Sequence, residues 1–238
     1  MTTTAPRVML KLSGEVLAGP KGYGLDSATL DMTALQLVRA QREGARAGVV
    51  LGGGNIFRGL GAAAKGMDRV TGDEIGMLAT IINGLALRDA VRRAGGRAEL
   101  FTARPMTPIG TPYVRDDAQA IIDDGQLAIF AGGTGNPFFS TDSGAALRAA
   151  ELGCELLLKG TKVDGVYDKD PATHADATRF DTLTINEMID KKLGVMDLTA
   201  AVICRENNVG ILVYKMTVDD SIYNAALGSC DGTRVLPN

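Results

Sequence analysis

Short, largely apolar runs recur along this chain, each followed by a glycine-rich or polar segment and then by a helical pattern, and this restricts the architectures open to it. The runs are Val8–Leu12, Gly48–Leu51, Ala98–Thr102, Leu127–Ala131, Glu155–Lys159 and Ile211–Tyr214. A strand with one face in water alternates apolar and polar residues. A strand apolar at successive positions is covered on both faces. Between the runs, helical periodicity predicts helices over Leu30–Glu43, Ile56–Lys65, Asp73–Ala94, Asp116–Asp123, Ser143–Leu152, Asn186–Lys191 and Leu198–Asn207, with a closing helix near Asp220–Leu227. Strand and helix in alternation predict an α/β fold, a three-layer αβα sandwich around a central, mainly parallel sheet. Gly19–Leu25 and Asp168–Asp181 read as loops or hairpins without cores of their own.

With 238 residues the chain can bury an ample core without a disulfide or structural metal. Three cysteines, Cys154, Cys204 and Cys230, lie far apart without metal-ligand spacing and read as reduced thiols, so a cytoplasmic location is expected. A net charge of -3 and the absence of Trp argue against a nucleic-acid-binding module or an anionic membrane surface. No segment reaches the ~20 apolar residues of a membrane span. Phosphate binding, if present, has to be local.

Two loops suit it. Gly52-Gly53-Gly54-Asn55 follows one strand and leads to Arg58, where successive backbone N–H groups can cradle an anion and a guanidinium can fork onto it. Gly132-Gly133-Thr134-Gly135-Asn136-Pro137 follows another and runs through Phe138, Phe139, Ser140 and Thr141 into a helix opening at Asp142 and Ser143. Exposed aromatics in a glycine loop suit a flat ring. Lys11 ends the first strand ahead of Ser13 and Gly14 and can point its ammonium into a crevice; a solvated strand-end lysine is the plainer alternative. Asp73 reads as a helix-start carboxylate and Asp197 as an N-cap. Lys159, Thr161, Lys162, Asp164, Tyr167 and Asp170 could form no more than a charged hairpin. Neither a P-loop, a dinucleotide fingerprint, a nucleophile–histidine–carboxylate set nor a metal-ligand cluster is visible, and the lone His174 reads as solvent-exposed.

These segments, taken in order, resemble those of the bacterial uridylate kinases within the amino-acid kinase family. Lys11-Leu12-Ser13-Gly14-Glu15 is similar to the opening KxSGE, Val49–Gly59 to the first glycine loop, Met67–Asp89 to the acceptor-site helix, and Thr134–Leu152 to the uridylate motif. Lys159–Pro171 and Val195–Ala200 are similar to the nucleotide half. The resemblance implies transfer of the γ-phosphoryl of MgATP to UMP in pyrimidine nucleotide biosynthesis, by one domain over 1–238 with an acceptor lobe at 1–152 and an ATP lobe at 153–238. It assigns catalysis to Lys11, Arg58, Asp142, Lys159 and Asp197. ATP contacts fall to Lys11, Leu12, Ser13, Gly14, Gly54, Arg58, Thr161, Tyr167 and Asp170, and UMP contacts to Gly53, Asp73 and the residues from Thr134 through Gly135, Asn136, Pro137, Phe138, Phe139 and Ser140 to Thr141. Magnesium arrives with ATP and no resident metal is expected. Gly19, Pro20, Lys21, Gly22, Tyr23 and Gly24 match a nucleotide-regulated loop, with GTP or UTP as candidate effectors, and a homohexamer is implied, with the Asp73–Ala94 helix at an interface. Two rivals remain: a kinase of this fold acting on a carboxylate or carbamate, against which PFFSTD stands, and a noncatalytic oxoanion-binding protein.

Overall fold

A computed structural model describes residues 6–57 and 66–238. Arg58 and most of the helix expected over Ile56–Lys65 lie outside the described residues.

Among the described residues, one nine-stranded sheet runs in the order β4 (Thr111–Pro112), β3 (Ala98–Thr102), β5 (Leu127–Ala131), β2 (Arg46–Leu51), β1 (Arg7–Leu12), β6 (Leu156–Thr161), β10 (Gly210–Lys215), β11 (Thr233–Leu236), β9 (Thr182–Thr184). Its central strands β1, β2, β3, β5, β6 and β10 are all paired in parallel. The short edges β4 and β9 complete it, with β11 between β10 and β9, antiparallel to the first and parallel to the second. A separate hairpin joins β7 (Val166–Tyr167) to β8 (Arg179–Phe180), in keeping with the loop expected over Asp168–Asp181.

Apolar residues on successive strand positions feed two cores, one on each face. On one face Leu10, Leu12, Leu51 and Ile129 pack with α2 (Ser27–Arg42), α3 (Arg69–Arg93) and α8 (Ser221–Ala226). On the other, Met9, Val50, Phe130 and Leu157 meet α4 (Arg115–Asp123), α5 (Thr141–Glu151), α6 (Ile185–Asp190) and α7 (Leu198–Glu206). Helix α1 (Gly14–Leu17) is a single turn after β1. Side-chain caps start three of the helices: Asp197 accepts from the Ala200 N–H ahead of the expected Leu198, whereas Asp26, accepting from the Thr29 N–H, and Ser140, accepting from those of Asp142 and Ser143, start α2 at Ser27 and α5 at Thr141, before the expected Leu30 and Ser143.

Helix α3 begins four residues before the expected Asp73. Its N-cap is Asp68, which accepts from the Thr71 N–H at 3.0 Å, so Asp73 lies in the second turn and the helix-start reading of that carboxylate is corrected.

The first strands build outward on one side of β1, and β6 and its successors build on the other. The point where strand order reverses lies between β1 and β6, and crevices for ligands open there in sheets of this kind.

Candidate active site

Register brings the two lysines together. Lys11 of β1 is directly paired with Lys159 of β6, and the period of two sets both side chains on the face of Met9 and Leu157, toward α5. Two ammoniums on adjacent strands repel unless something negative lies between them. Asp142, in the first turn of α5, supplies it: its carboxylate is ion-paired to Lys11 Nζ at 2.9 Å and takes a short bond from Lys159 Nζ. All three side chains are largely buried. Burial pushes the Asp142 carboxyl up, but the attraction of Lys11 and Lys159 outweighs it and holds the group below its usual range. Burial pulls the Lys159 ammonium down, Lys11 adds repulsion, and Asp142 recovers only part.

Asp197 braces this arrangement from α7. It accepts from Ser143 Oγ at 2.9 Å, from Ser140 Oγ through a short bond, and from the Ala200 N–H at 2.9 Å. The N-cap of α5 and that of α7 are thereby tied together, and Asp197 serves both as a cap and as a support for the turn that carries Asp142.

Two clefts flank the lysines. The first, about 130 Å³, is lined by Gly53, Gly54, Asp73, Thr80, Thr134, Asn136, Phe139, Ser140 and Thr141, among others. The second, about 880 Å³, takes in Lys11, Ser13, Lys159, Thr161, Tyr167 and Asp170.

The glycines between them are required by close approach and backbone angle. A Cβ on Gly14 would lie 2.2 Å from the Gly52 carbonyl oxygen, so only glycine lets the exits of β1 and β2 touch. Gly132, Gly133 and Gly135 have φ of 84°, 58° and 81°, the left-handed region where other residues are strained.

Several expected residues sit differently from their neighbours in sequence. Gly54, assigned with the ATP contacts, lines the first cleft rather than the second. Leu12 is fully buried, and its carbonyl accepts from the Gly52 N–H at 3.0 Å. Of the two phenylalanines, Phe139 lines the first cleft, whereas the Phe138 ring lies 5.6 Å from the Arg69 guanidinium. Phe138 takes a left-handed φ of 72°, and its N–H donates to Asp73 Oδ2 at 2.8 Å, the oxygen that also receives Arg69 Nε at 2.8 Å. Gly135 accepts from Arg104 Nε at 2.8 Å, and Pro137 lies between cleft residues without lining either cavity. Thr161 Oγ1 and Asp170 Oδ1 fold their own turns, bonding Val163 and Ala172. Tyr167 donates to Asp164 at 2.8 Å. Gly19, Pro20 and Lys21 form one 3-10 turn, followed by Gly22, the exposed Tyr23 and Gly24.

Some lining residues were not singled out individually. Thr80, within the Met67–Asp89 segment, receives the Gly132 N–H at 2.8 Å from the middle of α3, and Lys191, Lys192, Leu193 and Gly194 wall the second cleft just ahead of Val195, where the segment similar to the nucleotide half begins. Among the described residues no group of three or more His, Cys, Asp or Glu is placed to hold a metal ion.

The profile of the amino acid kinase family matches residues 6–215. The chain belongs to that family. It is 48% identical over 229 residues to the uridylate kinase of Xanthomonas campestris pv. campestris, covering 96% of this chain and 95% of that protein. To the uridylate kinase of Alcanivorax borkumensis it is 47% identical, covering 96% and 91%. The solved UMP kinase of Bacillus anthracis superposes with a TM-score of 0.93 at 33% identity, over 98% of this chain and 97% of that one. That of Ureaplasma parvum does so with 0.92 at 35%, over 98% and 99%.

Proposed function

We propose that this chain is a uridylate kinase that transfers the γ-phosphoryl of MgATP to UMP, giving UDP and ADP for pyrimidine nucleotide synthesis. The observation that carries the reading is the Lys11–Asp142–Lys159 cluster, with both ammoniums lining the larger cleft and Thr141, beside Asp142, lining the smaller one. An oxygen of the UMP 5′-phosphate attacks the γ-phosphorus, the new P–O bond forms as the bond to the β–γ bridging oxygen breaks, and ADP leaves. The attacking oxygen is already anionic, so no general base is called for. The task is charge neutralisation and alignment. Lys11 and Lys159 neutralise the migrating group, Arg58 helps align it, and Asp142 and Asp197 hold the lysines in place.

In this reading residues 1–152 form the acceptor lobe and 153–238 the ATP lobe of one domain. ATP lies along Lys11–Gly14, Thr161, Tyr167 and Asp170, bringing its magnesium with it. UMP lies between Gly53, Asp73 and the Thr134–Thr141 loop, with Asp73 on the ribose and Phe139 on the base. The exposed Leu78, Ile82 and Leu85 of α3 favour a subunit interface, and the assembly proposed is a homohexamer. The Gly19–Gly24 segment is the proposed regulated loop, with GTP or UTP as candidate effectors. No helix among the described residues is long and apolar enough to cross a membrane, and the proposed place of action is the cytoplasm.

The test is ADP release from MgATP with UMP, CMP, N-acetylglutamate or carbamate offered separately. Turnover with UMP well above the rest is expected. Turnover only with a carboxylate or carbamate would overturn the assignment, and nucleotide binding without turnover on any of the four would indicate a binding protein.

A further inference from the structure

Two buried asparagines lie behind the first glycine loop. Asn55 closes the loop and Asn83 comes from the middle of α3; they are 3% and 0% exposed. Buried amides are costly unless satisfied, and these are. Asn83 Nδ2 donates to the Gly52 carbonyl at 2.7 Å and to Asn55 Oδ1 at 2.7 Å, while Asn55 Nδ2 donates to Asn83 Oδ1 at 3.1 Å and to the Gly24 carbonyl at 2.7 Å. The Gly24 N–H returns a bond to the Asn55 carbonyl at 2.8 Å. Every hydrogen of both side-chain amides is used.

This places both ends of Gly52–Asn55 on a fixed support and leaves Gly53 and Gly54 between them as lining of the first cleft. It also fastens Gly24, the end of the Gly19–Gly24 segment, to the same support. One turn earlier on α3, Thr80 receives the Gly132 N–H, so a single rigid helix sets the positions of both glycine loops. A purely structural pair would need only to satisfy itself. This one spends its donors on a loop carbonyl and on a second segment.

We propose that Asn83, acting through Asn55, is a positioning residue for the acceptor-phosphate loop and the link by which the conformation of the Gly19–Gly24 segment reaches that loop. The proposal rests on the reading of the first cleft as the acceptor site. Loss of Asn83 leaves the Gly52 carbonyl without its buried donor and takes from the Asn55 amide one donor and one acceptor, leaving its bond to the Gly24 carbonyl, so the loop loses its preformed geometry.

The experiment compares wild type with Asn83→Ala and with the smaller polar change Asn83→Ser, which keeps the position readable should the alanine variant fail to fold. Steady-state kinetics with MgATP and UMP are expected to show KM for UMP raised about tenfold and KM for ATP within about twofold of wild type, the signature of one misplaced loop. Amide hydrogen exchange on the same proteins without nucleotide is expected to accelerate in peptides spanning 22–26 and 52–57, with the strand 98–102 unchanged. Unaltered KM for UMP in a folded variant would overturn the positioning role, and so would equal rises in both KM values. Unchanged exchange at 22–26 would overturn the link. Should wild type fail to use UMP, the functional reading falls by itself, and exchange at 22–26 and 52–57 still decides whether Asn83 holds the two segments.

Discussion

Replacing Asp142 by Asn removes the one negative charge between two buried ammoniums while keeping nearly the same shape. At 2.9 Å from Lys11, and with an effective dielectric of ~20, the Coulombic attraction lost is about 6 kcal/mol before solvation is considered. Desolvation offsets part of the original gain, yet the lysines stay buried after the change and now face each other unscreened. Breaking a buried ion pair from one side costs ~3–5 kcal/mol. For a chain of this size that corresponds to a fall in Tm of roughly 6–20 °C at fixed protein concentration. Because an ATP polyphosphate would restore negative charge beside the same lysines, the variant is expected to regain more stability from added ATP than wild type does. Turnover falls ~10²–10³-fold, since the lysines no longer hold their alignment for the migrating phosphoryl. The assay is denaturant unfolding with and without ATP, alongside UMP-dependent ADP release. A stability loss under about 1 kcal/mol with near-wild-type turnover would refute the account of the cluster.

The depressed Lys159 ammonium gives up its proton below the ordinary 10.5, so kcat/KM is expected to fall on the alkaline side earlier than a normal lysine would impose; Lys159→Arg, which stays charged, should move that limb upward in whatever activity it retains. Stability follows the same signs. Neutral Lys159 is favoured in the fold, so its contribution improves as pH rises from its lowered value to 10.5, whereas that of Asp142 is present above 3.8 and lost as pH falls below it; denaturant titrations across both windows check this. Phe139→Ala is expected to raise KM for UMP several-fold more than Phe138→Ala, because only the Phe139 ring lines the first cleft; equal effects would place the base elsewhere. Asp73→Asn is expected to narrow the preference for UMP over dUMP by harming UMP use, as sites built to bond a hydroxyl reject its absence strongly. An unchanged kcat/KM ratio would confine Asp73 to holding Arg69 and the Phe138 N–H.

Much was legible locally. Leu127–Ala131 is a strand with the expected bounds because five consecutive apolar residues have no stable place outside a doubly covered sheet, and Ala98–Thr102 keeps its bounds with Ala98, Leu100 and Phe101 buried and Glu99 partly exposed. The Asp197 cap acts within three residues of itself, so that function is written in short-range spacing. The short strands β4, β9 and β11 were not legible. Two to four residues are too few to display a period, and β11 is held as a strand by β10 and β9 on either side of it.

For the site, the residue types and their order marked Lys11 and the two glycine loops as candidates, since each follows a strand, whereas Asp142 and Lys159 were assigned to catalysis through the family resemblance. Their meeting was decided by tertiary structure alone. Strand order sets β1 beside β6, register sets Lys11 opposite Lys159, and the packing of α5 drops Asp142 between them. Asn83 shows the same limit from the other side: within α3 it resembles any mid-helix amide, and only the approach of Gly52, Asn55 and Gly24 from distant parts of the chain gives its donors somewhere to go. Local pattern depends on neighbours a few residues away, whereas a buried charge or amide finds its partners only once the long-range packing has closed around it.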